Sequence, residues 1–298
     1  MAIKKLLAPV IAVLNMKGGV GKTTVAANVF RELYRRIPGA CKTLLIDFDA
    51  QHNLTQQVVS RKKHEELEQQ KRTLWHLFEP TNPPNLFEVS ESKRTDIGNY
   101  ADFVHQLKST TVGHELLLLP GDFRIALLNL REKPESLEMP RKRFQDFVRK
   151  AREDCALVVL DCNPSSSFLT RSAIEAATHL LVPVRPDRYS ILGLELLDQY
   201  MTYLPLPQTP ELIVIMNATR DHGSSVEAEV RRHPKFGPNV LTTRIPETDI
   251  LVARADYTGF GVDRTARGTT RRVPYSKITR SVLTSAADEI GRRLKLLT

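Results

Sequence analysis

The chain has 298 residues, 41% hydrophobic and 26% charged, a composition ordinary for a soluble globular protein and enough length for one large α/β core or two small ones. Lys and Arg number 43 against 34 Asp and Glu, a formal charge of +9, which favours a polyanionic partner without choosing among nucleic acid, nucleotide and anionic lipid. No apolar stretch approaches the ~20 residues that cross a bilayer. Residues 1–14 imitate a secretory leader, with Lys4 and Lys5 ahead of an apolar run. That run leads into Lys17-Gly18-Gly19 without a small-residue cleavage site and reads as a first strand. Cys41, Cys155 and Cys162 form no CxxC pair and leave an odd thiol, which argues against a disulfide scaffold or cysteine-rich zinc site and for a reducing, cytoplasmic setting.

Apolar runs alternate with longer amphipathic segments, the βαβ rhythm of a mostly parallel sheet covered by helices on both faces. In chain order, strands are expected over residues 10–14, 43–46, 116–119, 156–160, 180–184, 212–216 and 240–243. Between them, 22–35 reads as a helix with Val25, Val29, Phe30 and Leu33 on one stripe, and 191–200 as a helix carrying Leu194 and Leu197. Polar or Pro-rich stretches at 60–72, 79–85 and 263–276 are short enough to be loops or surface helices. Arg61 to Glu68 mixes both charge signs at helical spacing and reads as a solvated helix face. With no internal repeat and no linker-like break, residues 1–298 are expected to form a single domain.

The most informative stretch is Asn15-Met16-Lys17-Gly18-Gly19-Val20-Gly21-Lys22-Thr23-Thr24, set between an apolar strand and an amphipathic helix. Glycines let backbone N–H groups turn inward on phosphates, and the helix N-terminus adds a favourable dipole. Lys22 supplies charge, and the Thr23 hydroxyl can ligate Mg²⁺. Gly18, Gly19, Val20, Gly21, Lys22, Thr23 and Thr24 are therefore the candidate nucleotide-binding residues. The ordinary G-x-x-x-x-G-K-[ST] loop has Gly where Met16 stands, followed here by Lys17.

This K-G-G-x-G-K-[ST]-[ST] pattern resembles the deviant Walker A loop of the ParA/MinD family of ATPases. The resemblance implies a three-layer α/β P-loop NTPase fold with a mostly parallel twisted sheet of about seven or eight strands. It also implies an ATP-sandwich homodimer in which Lys17 reaches the partner's nucleotide, so that catalysis falls to Lys17, Lys22 and a carboxylate. That carboxylate lies in Leu44-Leu45-Ile46-Asp47-Phe48-Asp49-Ala50-Gln51-His52-Asn53, similar to the family's L-[IV]-D-x-D-P-Q-x-N, with Ala50 in place of Pro. Acids at a strand's carboxyl end face a ligand in an open α/β sheet. By resemblance Asp49 orients the attacking water, and Asp47 supports the Mg²⁺ shell. Alternatively, either acid alone could be an N-cap or a surface-loop acid.

The strand 156–160 runs into Asp161-Cys162-Asn163-Pro164-Ser165, which fits a Walker B element with Asp161 holding Mg²⁺ through water. Family members usually read D-C-P-P-S, so Asn163 departs from the pattern. Cys162 reads as a small packed residue. Residues 169–173, 181–187 and 191–194 track further family pieces. Asn217, ending an apolar strand, and Pro246, in Ile245-Pro246-Glu247, resemble positions flanking the adenine, although Asn217 could equally be a strand-end turn residue.

From 264 to 280 six basic residues, Arg264, Arg267, Arg271, Arg272, Lys277 and Arg280, occur with no acid. Doubled in a dimer, this run suits sequence-independent phosphate contact with steep salt dependence; the alternative is a solvated loop with compensating acids nearby. The resemblance implies non-specific DNA binding in the ATP state, nucleoid association, slow turnover and a ParB-like activating adaptor, in the partitioning or positioning of DNA or another cargo. The family's S-E-A-P-S-x-G segment is replaced by residues 253–259. With the loop starting near residue 15, no helix-turn-helix module is expected ahead of it. Three rivals remain: a MinD-like membrane-cycling ATPase, a nitrogenase-iron-protein-like carrier and a nucleotide-dependent scaffold. The first needs a C-terminal lipid anchor, whereas Ile278, Val282, Leu283, Ile290 and Leu294 suit packing on the sheet, so a membrane partner is not expected. The second needs cysteines at another spacing.

Overall fold

Val10 to Val13 form a strand with every residue buried, β1 (Val10–Val13), and the rest of the fold is arranged around it. The computed structural model describes residues 7–79, 95–130, 134–163, 167–219, 225–251, 257–263 and 276–298. Among these the further strands are β2 (Lys42–Phe48), β3 (His105–Ser109), β4 (Glu115–Leu119), β5 (Leu157–Cys162), β6 (His179–Val184), β7 (Glu211–Thr219) and β8 (Val240–Pro246). The helices are α1 (Lys22–Leu33), α2 (Asn53–Val58), α3 (Arg61–Gln69), α4 (Leu74–Phe78), α5 (Glu138–Asp154), α6 (Phe168–Ala176), α7 (Ser190–Thr202), α8 (Ser225–Arg232) and α9 (Ser276–Arg293). The strands join in one sheet of order β3-β4-β2-β5-β1-β6-β7-β8, parallel throughout except for β3 against β4.

Alternation along the strands divides the core into two faces. Val10, Ala12, Leu44, Ile46, Val158 and Leu160 meet Phe144 and Phe147 of α5 on one side. Ile11, Val13, Leu45 and Val159 meet Val25 and Phe30 of α1 and Leu283 and Ile290 of α9 on the other. Phe48 reaches Phe144 at 4.6 Å between ring centres. Each fully buried Val, Leu, Ile or Phe contributes roughly 1.5–3 kcal/mol, and two such layers hold the carboxyl ends of β1, β2 and β5 in fixed register. This is the three-layer α/β arrangement expected from the alternating runs.

Seven of the strands lie where the apolar runs place them, with ends shifted by a few residues. The eighth, β3, is an antiparallel edge strand whose side chains are half-buried or exposed; an edge strand needs no continuous apolar run, so none marks it. The mixed-charge segment is helix α3, which buries only Leu67, starts at a Ser60 side-chain cap and carries the Arg61–Glu65 and Lys63–Glu66 pairs. Leu283 and Ile290 of α9 and Leu294 just after it are buried, whereas Ile278, expected to pack, is 58% exposed. No described helix is long and apolar enough to cross a membrane.

Candidate functional site

The chain leaving β1 is braced from below before it turns into α1. Asn15, buried, donates from Nδ2 to the Pro183 carbonyl at 2.9 Å and accepts the Lys17 amide on Oδ1 at 2.9 Å. Gly21 has φ +86°, and a Cβ there would sit 2.2 Å from Asn217 Nδ2, so both backbone and space demand glycine. Helix α1 then begins with no side-chain cap and no acid in its first turn. Its first N–H groups and positive dipole end are thereby directed at whatever anion the loop encloses. Lys22 Nζ donates to the Lys17 carbonyl at 3.1 Å, closing the turn. Burial pushes its ammonium below the ordinary lysine value, with Asp161, Cys162 and Asp49 pulling the other way.

An open cavity of about 700 Å³ lies over this loop, lined by Gly18, Gly19, Gly21, Lys22, Thr23 and Thr24 and, across from them, by Asp49, Gln51, Asn53 and Asn163. Asp49 Oδ1 accepts from the Gln51 amide and from Asn163 Nδ2, both at 2.9 Å, and Oδ2 from Asn53 Nδ2 at 3.5 Å.

Beneath the cavity, Asp47 and Asp161 are register partners on β2 and β5. Neither Asp161 oxygen has a hydrogen-bond partner among the described residues, and Asp47 Oδ1 is equally unpartnered. Burial, then the neighbouring Asp47, drives the Asp161 carboxyl well above its usual range against the pull of Thr23 and Lys22. Burial also lifts Asp47 to about 7 despite its hydrogen bonds to Thr55, with Asp49 adding to the rise. The unpartnered Asp161 carboxylate and the free Oδ1 of Asp47 are hard oxygen donors of the kind that suit a divalent cation such as magnesium. No group of three or more His, Cys, Asp or Glu side chains among the described residues is placed to hold a metal.

Several expected roles are modified by the fold. Asp47 commits Oδ2 to the Thr55 amide at 2.7 Å and hydroxyl at 2.6 Å, which anchors α2 and leaves only Oδ1 without a hydrogen-bond partner. Asn217 is buried and donates to the Val20 carbonyl at 2.7 Å, bracing the loop; neither it nor Pro246, which is paired with Thr219 at the end of β8, lines the cavity. Lys17 turns away to an ion pair with Asp187. Of the basic run, Arg264, Arg267, Arg271 and Arg272 lie outside the described residues. Lys277 is exposed on α9. Arg280 pairs with Glu32 of α1 at 3.4 Å and reaches Asp263 at 4.0 Å, compensating acids of the kind the alternative reading of this run holds, brought close because α9 packs against α1.

Four residues assigned no role from sequence, Asn15, Thr55, Asn163 and Asp187, hold the loop or the carboxylates in place. Only Asn163 carried a signal, as a departure from the resembled pattern. The three cysteines are unbridged, and burial raises the Cys162 thiol well above its ordinary value.

A phosphate loop at the carboxyl edge of a parallel sheet, facing paired acids on the adjoining strands, defines a P-loop nucleotide-binding protein. The AAA domain family matches the chain over residues 8–212, and the chain belongs to this family, among its ParA/Soj partitioning ATPases. It is 29% identical over 257 residues to the chromosome-partitioning ATPase Soj of Thermus thermophilus, covering 84% of this chain and 85% of that protein. Its fold is similar to that of pNOB8 ParA bound to nonspecific DNA, with TM-score 0.60, 20% identity and coverage of 97% and 99%. It is similar also to cobyrinic acid a,c-diamide synthase of Mycobacterium smegmatis with bound ADP and magnesium, with TM-score 0.64, 19% identity and coverage of 97% and 96%.

Proposed function

We propose that this chain is an ATP-dependent dimerising ATPase that hydrolyses ATP to ADP and phosphate and, in its ATP state, binds DNA non-specifically to partition or position a cargo. The observation that carries this reading is the shared cavity: the Lys22 loop and Asp49 face one another across it, above the orphaned Asp161 carboxylate. Lys22 and the α1 N–H groups neutralise the phosphates. Asp49 accepts a hydrogen bond from the water in line with the γ-phosphorus. Thr23 and Asp161, with Asp47 behind, would hold magnesium, which supplies charge neutralisation at the phosphate oxygens when bound. Lys17 serves the nucleotide of a second copy, so assembly completes each site and couples nucleotide state to oligomeric state. Turnover is slow and raised by a ParB-like adaptor. The nonspecific DNA bound to the similarly folded pNOB8 ParA and the Soj relative support the partitioning role, and nucleoid association follows from it. Residues 1–298 act as one ATPase unit.

The test is sedimentation of Asp49→Ala with ATP and magnesium and, separately, with ADP. A dimer with ATP and a monomer with ADP is expected, with hydrolysis reduced by about 10²–10⁴. Monomers in both would overturn the reading.

A further inference from the structure

We propose that Asn163 is a positioning residue for hydrolysis: its side-chain amide, fixed at the carboxyl end of β5, sets the orientation of the Asp49 carboxylate across the cavity. This rests on the reading of Asp49 as the group that orients water.

An ionised carboxylate can only accept, so the Asn163 NH₂ must face it, at 2.9 Å from Oδ1. The other two donors to Asp49, the Gln51 amide and the Asn53 side chain, are two and four residues away on the same turn and move with it. Asn163 is 114 residues distant and follows β5, whose Asp161 is in register with Asp47. Among the described residues it alone ties the Asp49 side chain to a neighbouring strand. It therefore fixes the carboxylate relative to the metal-binding edge as well as to its own loop. The resembled pattern has proline at this position, which lacks a side-chain donor; here asparagine supplies a specific contact.

In the step concerned, the water oxygen bonds to the γ-phosphorus as the bond to the β,γ-bridging oxygen breaks. ADP leaves with that electron pair, and the water proton ends on phosphate or solvent. Asp49 directs the water lone pair, and Asn163 directs Asp49. Small misplacements of an orienting group cost rate while leaving phosphate binding alone.

The experiment compares full-length Asn163→Ala, Asn163→Leu and Asn163→Gln with wild type and Asp49→Ala. It measures turnover at saturating Mg-ATP, ATP affinity by calorimetry, sedimentation with ATP, and thermal midpoint. Asn163→Leu keeps a side chain of similar size while removing the donor without adding charge, and Asn163→Gln keeps a donor. The first two are expected to lose about 10-fold in turnover, with ATP affinity within about twofold, an ATP-dependent dimer and an unchanged midpoint; Asn163→Gln recovers most of the rate. Wild-type turnover in Asn163→Ala alongside an inactive Asp49→Ala overturns the positioning role alone. Weaker ATP binding at constant turnover, or loss of rate only through loss of the dimer, overturns it as well. An Asp49→Ala protein that hydrolyses like wild type removes the underlying assignment and this one together.

Discussion

The Lys17 ammonium is ion-paired with the carboxylate of Asp187, 170 residues further along the chain, and lies 5.6 Å from the centre of the Tyr189 ring. Burial tends to raise the Asp187 carboxyl, but the Lys17 hydrogen bond, the Tyr189 amide and the Lys17 charge hold it below the usual range. The lysine proposed to serve a second subunit thus has an internal partner in the single chain.

Both side chains are partly exposed, 27% and 36%, and a pair of this kind is worth only about 0–1 kcal/mol. Exchange of Lys17 from Asp187 to a partner's nucleotide is therefore cheap. Asp187→Asn is expected to lower the protein concentration at which ATP drives dimerisation by up to about fivefold, read by sedimentation velocity across a dilution series. An unmoved midpoint means that the two interactions do not compete.

Gly21→Ala combines a left-handed φ of +86° with a Cβ 2.2 Å from Asn217 Nδ2. Relief requires breaking the Asn217 bond to Val20, and strain of this kind costs about 1–3 kcal/mol. ATP affinity is expected to fall roughly 5- to 150-fold by calorimetry, since 1.4 kcal/mol is tenfold. Lys22→Ala is expected to abolish nucleotide binding, whereas Lys17→Ala keeps it and loses the dimer.

Asp47 titrates near 7 in the folded chain against a usual 3.8, so the native state holds a proton that the unfolded state has released. Its contribution to stability is complete below about pH 4 and declines as pH rises towards and through 7. Asp161 shifts in the same direction. Relative to Asp47→Asn, which retains an acceptor for Thr55, nucleotide-free wild type should lose thermal stability between about pH 4 and 7. Adding ATP with magnesium should narrow the gap at the alkaline end, as the carboxylates then face a cation. Thermal midpoints of the two proteins across that range, with and without Mg-ATP, decide it.

For DNA, Arg271→Ala with Arg272→Ala should flatten the dependence of log K on log salt in the ATP state by nearly one unit per lost phosphate contact. Arg280→Ala should instead lower the thermal midpoint, because it leaves Glu32 and Asp263 with one cation fewer, and should leave the salt slope unchanged. Fluorescence anisotropy on duplexes of unrelated sequence at several salt concentrations measures the slopes.

The linear order of residues determined the phosphate loop, the strand–helix rhythm and the positions of Asp49 and Asp161. These rest on short-range rules: apolar runs form buried strands, glycine permits a left-handed turn, and residues at a strand's carboxyl end lie at the ligand edge. The tertiary structure alone decided that Asn163 meets Asp49, Thr55 takes one oxygen of Asp47, Asn217 braces Val20, Asp187 holds Lys17 and Glu32 neutralises Arg280. Each of these contacts joins residues distant in the chain or on different elements, and hydrogen bonds and ion pairs depend on angstrom-scale placement. That placement is set by how the sheet and its two helical layers pack.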